Sequence, residues 1–141
     1  MGKHRPTIGF FPGVFDLLHP GHVVAFKEAK EHCDILIIGL QSDPTIDRPD
    51  KNKPIMTKEE RRIILEGIKY VDEIIDYDTE DELNNLDDTL EADIRFIGED
   101  HRDKLFNPIK TKIIYLSRNH NWSSRNLRKR ISEYEIYWGR L

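Results

Sequence analysis

The residues best suited to chemistry lie in one short stretch near the start of the sequence, Gly13 to His22. His19 and His22 are three positions apart, so in a helix that begins near Pro20 both imidazoles project toward one side of the first turn. An apolar run precedes the stretch, and an amphipathic segment, Val23 to Cys33, follows it. A strand, a glycine turn and a helix start bring together free backbone N–H groups and the positive end of a helix dipole. This context favours a bound anion such as phosphate.

His19-Pro20-Gly21-His22 is an HxGH sequence, and with the preceding Gly13, Phe15 and Asp16 it resembles the signature of the nucleotidyltransferase superfamily. Over roughly residues 7 to 131 the chain is most similar to the cytidylyltransferase group, in particular the glycerol-3-phosphate cytidylyltransferases. The resemblance implies that both histidines touch a nucleoside triphosphate, and that a substrate phosphate oxygen attacks the α-phosphorus while pyrophosphate leaves. Imidazoles that donate hydrogen bonds to phosphate oxygens would stabilise the negative charge that grows in the transition state.

A second segment, Arg118 to Ser124, resembles in part the RTxGISTT segment of the same family. Arg118 corresponds to an arginine that reaches the β- and γ-phosphates, and Ser123 and Ser124 correspond to hydroxyl positions at a helix start. This role is also plausible independently of the resemblance, because hydroxyls and free N–H groups at a helix N-terminus can bind phosphate. The segment departs from the family pattern at four positions, which leaves the substrate and the nucleotide open: Asn119, Asn121, Trp122 and Arg125.

Two cations in the middle of the chain, Lys53 and Arg61, match a lysine and an arginine that the family uses around the substrate phosphate and the triphosphate. A mobile loop that carries Lys53 could close over the anion and exclude water. Asp16 joins Lys53 and Arg61 as an expected substrate-binding residue, with a turn-capping role as its alternative. The expected catalytic residues are His19, His22, Lys53 and Arg118. The expected nucleotide-binding residues are Gly13, Val14, Phe15, Gly21, Gly98, Asp100, Arg118, Ser123 and Ser124.

Three further features follow from the resemblance. Lys69 to Glu73 resembles an RYVDE segment at or near the family's dimer interface, which implies a homodimer. Gly98-Glu99-Asp100 resembles a segment near the nucleoside, where Asp100 could contact ribose or metal. Val14 replaces a threonine that is common in relatives. Valine has no hydroxyl to donate, so backbone N–H groups would have to supply the hydrogen bonds to phosphate at this position.

Apolar segments of strand length alternate with amphipathic helical segments along the chain. Predicted strands cover residues 7–12, 35–40, 72–77, 94–98 and 112–116. Predicted helices cover residues 23–33, the segment after the Thr57–Glu60 capping box, residues 80–90, and Ser123 or Ser124 to about Glu133, with a C-terminal tail over 132–141. This order predicts an α/β fold: a Rossmann-like doubly wound sheet, mostly parallel, with five strands and flanking helices, in a single domain over 1–141. Ligands bind at the carboxyl ends of such strands, where residues 13–22, 98–102 and 118–124 would converge.

Composition excludes several classes of protein. A net charge of −4 argues against general nucleic-acid binding. The longest apolar run, Ile35 to Leu40, is too short to span a membrane, and no signal peptide is visible. The single cysteine, Cys33, cannot form an internal disulfide, so a reducing cytoplasm is the expected location. Neither GxxxxGK[ST] nor GxGxxG is present, and no spacing recommends a zinc site that would recruit His101 or His120.

The favoured function is transfer of CMP from CTP to a small phosphorylated alcohol, with glycerol 3-phosphate first. Mg²⁺ is the expected cofactor, held mainly by the triphosphate, because the protein offers few dedicated carboxylates and no metal site of its own is expected. One alternative is an adenylyltransferase of the same fold that acts on a sugar phosphate or a flavin. The other is a nucleotide-binding protein without turnover.

Overall fold

The computed structural model describes residues 5–98, 111–117 and 120–140. Within these residues, five strands form one parallel sheet in the order β3-β2-β1-β4-β5. The strands are β1 (Ile8–Gly13), β2 (Ile35–Gln41), β3 (Glu73–Tyr77), β4 (Ile94–Gly98) and β5 (Lys112–Leu116). The helices are α1 (Pro20–Lys30), α2 (Lys58–Glu66), α3 (Glu80–Leu90) and α4 (Ser124–Tyr137), with a short 3₁₀ helix over Pro44–Ile46. The predicted Rossmann-like α/β fold is confirmed.

β1 is the central strand, and its pairing with β2 runs in register from Ile8 opposite Ile35 to Gly13 opposite Leu40. The continuous apolar run of β2 forms a strand that is covered on both faces, as its sequence predicts. Gly9 allows a close approach on β1, since a Cβ there would lie 2.8 Å from the Cys33 Sγ atom.

Helices cover both faces of the sheet. On one face, Phe26 of α1 and Leu65 of α2 are buried against the strands. On the other face, Leu83 of α3 packs with Phe10 and Ile37. Burying a side chain of this size stabilises the fold by about 1.5–3 kcal/mol. Two separate apolar layers therefore hold the sheet between helices and leave its carboxyl edge for the loops.

Two helices differ from their predicted bounds. α1 begins at Pro20, where the fit of proline to a first helical position predicts its start, and it ends at Lys30, three residues before the end of the predicted amphipathic segment. α4 continues to Tyr137, so most of the predicted tail is helical. Neither glycine nor proline interrupts that segment before Gly139, whose φ of +68° ends the helical path.

The strand order places the site. From β1, the chain adds β2 and β3 on one side of the sheet and β4 and β5 on the other. The gap between the carboxyl ends of β1 and β4 is thus the switch point at which ligands bind in such sheets. Among the described residues, no helix has the length and apolar character needed to cross a membrane.

Candidate active site

The two motif histidines cap α1 reciprocally. The Nδ1 atom of His19 accepts a hydrogen bond from the Gly21 N–H at 3.0 Å. The Nδ1 atom of His22 accepts one from the His19 N–H at 3.2 Å. The ring centroids lie 4.0 Å apart. The HxGH spacing therefore builds a capping box in which both partners are imidazoles.

This capping determines the tautomer of both rings. A ring nitrogen that accepts from a backbone N–H carries no proton, so the proton of each neutral imidazole sits on Nε2. Burial, followed by the nearby His19 and His120, lowers the pKa of His22 to about 3. His22 is therefore neutral near pH 7. It can stabilise an anion as an oriented Nε2–H donor but not as a full positive charge.

Glycine at position 21 leaves room for two imidazole rings that close over this turn. A Cβ at this position would lie 2.7 Å from the His19 Cε1 atom and 2.9 Å from the His120 Cε1 atom. The structure thus brings His120, which sequence reasoning considered only as a zinc ligand, against the turn that carries the HxGH motif. Its place within the second motif was the only sequence signal for this proximity.

The start of α4 is tied to the β1–α1 connection. The Ser124 hydroxyl donates to the Leu17 carbonyl at 2.9 Å. Ser123 caps α4 by accepting from the Asn126 N–H at 3.0 Å. At the end of β5, the Glu28 carboxylate accepts from both the N–H and the hydroxyl of Ser117, at 3.0 and 2.9 Å. The first and second motifs therefore meet at one edge of the sheet, as expected.

The structure corrects the role expected for Arg61. The side chain is only 1% exposed. Its guanidinium donates to carbonyl oxygens of the β1–α1 connection, of the end of β2 and of the β2–α2 connection, at distances of 2.6 to 3.3 Å. These acceptors are Val14, Gln41, Ser42, Met56 and Thr57. Arg61 is thus a buried clamp between two loops, and these hydrogen bonds go to backbone carbonyls of this chain.

Asp16 also has a structural partner in place of the expected substrate. Its two carboxylate oxygens accept from the N–H groups of Ile55 and Met56, at 3.0 and 2.8 Å. The alternative turn-capping role fits this geometry, since the carboxylate caps the turn that precedes α2. Asp16 and Arg61 together connect the β1–α1 loop to the start of α2.

In the turn after β1, the groups suited to contact a nucleotide belong to the backbone rather than to side chains. Phe15 has a φ of +56°, and its buried ring packs edge-on against Phe11 and Phe26. A Cβ on Gly13 would lie 2.9 Å from that ring, so glycine is needed where the ring folds back. The Val14 carbonyl accepts from Arg61 at 2.8 Å. Nucleotide contacts at Gly13, Val14 and Phe15 stay predictions, and they would involve backbone N–H groups.

The remaining predicted residues are placed as follows. The Lys53 side chain is 81% exposed, and its Nζ atom lies 3.9 Å from an Asp43 carboxylate oxygen, so a phosphate contact there stays a prediction. Gly98 ends β4 beside the end of β5. Asp100, Arg118 and the departure at Asn119 lie outside the described residues. In the described parts of the chain, no three His, Cys, Asp or Glu side chains are grouped to hold a metal ion.

Comparison with known proteins agrees with this geometry. A family model described as cytidylyltransferase-like matches residues 10–136. The bifunctional protein HldE of Hyphomonas neptunium is 37% identical over 95 residues, which cover 67% of this chain and 19% of the relative. The FAD synthase of Aciduliprofundum boonei is 38% identical over 90 residues, covering 64% of this chain and 59% of the relative. The chain thus spans about a fifth of the HldE relative.

Among solved structures, the lipopolysaccharide core biosynthesis protein of Thermoplasma volcanium has a TM-score of 0.69 and 26% identity, over 82% of this chain and 100% of that one. The resemblance to the HxGH superfamily is confirmed, while particular closeness to glycerol-3-phosphate cytidylyltransferases stays a prediction. The family model covers most of the chain, and the fold and the paired histidine cap at the switch point agree with it. The chain therefore belongs to the cytidylyltransferase-like family, within the HxGH group of nucleotidyltransferases.

Proposed function

We propose that this chain transfers a nucleoside monophosphate from a nucleoside triphosphate to the phosphate of a small acceptor. The observation that carries the proposal is the reciprocal capping of His19 and His22, which leaves each neutral ring with its proton on Nε2. These donors stand at the N-terminus of α1, whose first turn holds no acidic residue. Oriented donors at a helix dipole suit the growing charge of a phosphoryl transition state.

The proposed reaction is a direct in-line displacement. An oxygen of the acceptor phosphate forms a bond to the α-phosphorus, the bond from that phosphorus to the bridging oxygen breaks, and pyrophosphate leaves with the electron pair. No protein nucleophile is needed, because positioning and charge stabilisation carry such a step. Lys53, Arg118, Ser123 and Ser124 are proposed to assist by holding phosphate oxygens. Mg²⁺ is proposed to arrive with the triphosphate, since the described side chains provide no metal cluster.

We take ATP as the first candidate for the nucleotide. A relative at 38% identity is named FAD synthase, and a structural neighbour at 26% identity is named a lipopolysaccharide core biosynthesis protein. The first name points to adenylyl transfer to a flavin, and the second points to a sugar-containing acceptor. The departures at Asn121, Trp122 and Arg125 from the pattern expected of the glycerol-3-phosphate group agree with this choice.

Transfer of CMP from CTP to glycerol 3-phosphate is the second candidate. Its support is the cytidylyltransferase-like family model over residues 10–136, together with Lys53, which matches the expected pattern in sequence. Base choice in such a site can depend on backbone groups, which sequence does not reveal.

The first test is pyrophosphate release in the presence of Mg²⁺, with ATP or CTP against flavin mononucleotide, a set of sugar phosphates, glycerol 3-phosphate and phosphocholine. Release with ATP supports adenylyl transfer, and the acceptor that responds defines the substrate. Release only with CTP and glycerol 3-phosphate establishes the second candidate. Nucleotide binding without release for any acceptor would instead support a binding protein without turnover.

A homodimer through the Lys69–Glu73 segment and a cytoplasmic location are also proposed. In this segment the Asp72 carboxylate already accepts from Lys30 and from the Leu36 N–H within the same chain. Sedimentation at working concentration tests the dimer, and a monomer mass would exclude it.

A further inference from the structure

A third imidazole lies beside the histidine pair. The Cε1 atoms of His120 and His19 would lie 2.9 and 2.7 Å from a Cβ built on Gly21, so both rings close over the first turn of α1. His120 lies between β5 and α4, and on either side of it Ser117 and Ser124 form hydrogen bonds to Glu28 and to the Leu17 carbonyl. Two independent parts of the chain thus bring imidazoles to one glycine.

The His120 ring is held in the same way as the other two. Its Nδ1 atom accepts from the Trp122 N–H at 3.1 Å. By the same reasoning, the proton of the neutral ring sits on Nε2. The Trp122 ring lies 5.2 Å away, tilted by 35°, and restricts the plane of the imidazole. His120 therefore presents an oriented donor on a ring that backbone hydrogen bonding has already fixed.

An anion suits this cluster better than a metal ion. The Nδ1 atoms of His19, His22 and His120 all accept from backbone N–H groups, so Nε2 carries the proton of each ring when it is neutral and offers no lone pair to a metal ion. The described residues contain no group of three side chains that could hold a metal.

We propose that His120 is a third phosphate-binding residue of this site, whose Nε2–H donates a hydrogen bond to a phosphate oxygen of the nucleoside triphosphate. This inference rests on the proposed function and extends it. His120 occupies the variable position of the second motif, so the contact is a property of this chain's own sequence.

The test compares His120→Asn with His120→Gln. An asparagine amide occupies the place of Nδ1, so it can keep the bond from the Trp122 N–H but removes the outward donor. A glutamine amide reaches the place of Nε2, so it can keep the donor but removes the acceptor for Trp122. We expect His120→Asn to weaken ATP or CTP binding and to slow pyrophosphate release by roughly tenfold to a hundredfold, as for loss of a hydrogen bond to a charged group. His120→Gln should stay closer to the wild type.

Three controls accompany the pair. Binding of adenosine or cytidine, which carry no phosphate, should be unchanged in both variants. Thermal unfolding should show that both variants are folded. His32→Gln alters an exposed histidine that follows the far end of α1, and it should leave triphosphate binding at the wild-type level.

The opposite order, with His120→Asn harmless and His120→Gln harmful, would show that His120 only positions the loop through Trp122, and would overturn the inference. Equal activity of His120→Asn and the wild type, with turnover lost in His19→Ala, would also overturn it while the proposed function stands. A wild-type protein that neither binds ATP or CTP nor releases pyrophosphate would overturn both.

Discussion

The N-termini of α1 and α2 have the same capping geometry but different chemistry. Each helix begins with a reciprocal capping box, built from His19 and His22 in α1 and from Thr57 and Glu60 in α2. In α2, the Thr57 hydroxyl accepts from the Glu60 N–H at 3.1 Å and the Glu60 carboxylate accepts from the Thr57 N–H at 2.8 Å. The first turn of α2 also holds Glu59, whereas that of α1 holds no acid.

The difference shows that the α2 box neutralises the positive end of its helix, whereas the α1 box leaves that end able to bind an anion. Hydrogen bonds from Thr57 lower the pKa of Glu60, so the carboxylate stays charged and itself offsets the positive end of the helix dipole. An imidazole that accepts through Nδ1 caps the helix without adding negative charge and keeps a second nitrogen as a donor. The α1 terminus is therefore capped and still able to attract phosphate, while the α2 terminus is neutralised.

The largest expected effect comes from removing the imidazoles of the α1 box. His19→Ala or His22→Ala should lower the turnover of the triphosphate by about a hundredfold to a thousandfold, as for loss of one oriented donor to a developing oxyanion. Pyrophosphate release with the nucleotide identified above measures this. Turnover within a few-fold of the wild type in both variants would refute the proposed role of the pair.

The next largest expected effect comes from removing Arg61, which connects the loop before α1 to the segment before α2. Arg61→Met should lower the free energy of unfolding by about 3 kcal/mol or more, because several buried carbonyl oxygens lose their donor at once. Urea unfolding measures the loss. The matched control is Arg62→Met on the more exposed side of α2, where ion pairs with Asp76 and Glu66 contribute less than about 1 kcal/mol. Equal losses in the two variants would contradict the clamp.

A smaller expected effect is a difference between the two boxes in how their contribution to folding stability depends on pH. The pKa of His22 is about 3 in the folded chain, against an ordinary value of 6.5, so between these pH values protons bind the unfolded chain preferentially. Stability contributed by neutral His22 is complete above pH 6.5 and falls as the pH is lowered, by at most about 1.4 kcal/mol per pH unit. The Glu60 contribution is lost only below its ordinary pKa of 4.5.

Unfolding curves at pH 7, 6 and 5 measure this difference. The wild type should lose stability across that series, and His22→Asn should flatten the profile because asparagine does not titrate. Parallel profiles for the wild type and His22→Asn would contradict the burial of a neutral imidazole.

The smallest expected effect is that of the α2 box. Thr57→Ala should lower the free energy of unfolding by about 1 kcal/mol through loss of the cap, with turnover within about twofold of the wild type. Chemical unfolding and the pyrophosphate assay measure the two quantities. A large loss of turnover without a matching loss of stability would show that α2 also takes part in the chemistry.

Local patterns in the sequence were enough to predict the strands, the αβ order and the Thr57–Glu60 box. Apolar runs such as Ile35–Leu40 and the caps at Thr57 and Ser123 depend on neighbours within a few residues. The helix over 80–90 and the strands over 94–98 and 112–116 were predicted with the bounds that the structure shows. The last helix was predicted too short, although the sequence holds a stop signal at Gly139, two residues after the observed end of α4.

The partners of Asp16 and Arg61 lie far along the chain, so the sequence could not identify them. Asp16 reaches N–H groups 39 and 40 residues away, and Arg61 reaches carbonyls 19 to 47 residues away. His120 meets Gly21 only because β1 and β5 lie in one sheet. The sequence by itself determined the α/β order and the histidine motif, since helix and strand periods and caps are local. Only the tertiary structure decided which charged side chains bind backbone groups inside the fold and which imidazoles meet at the site. The reason is that burial and long-range hydrogen bonds exist only once the sheet is assembled.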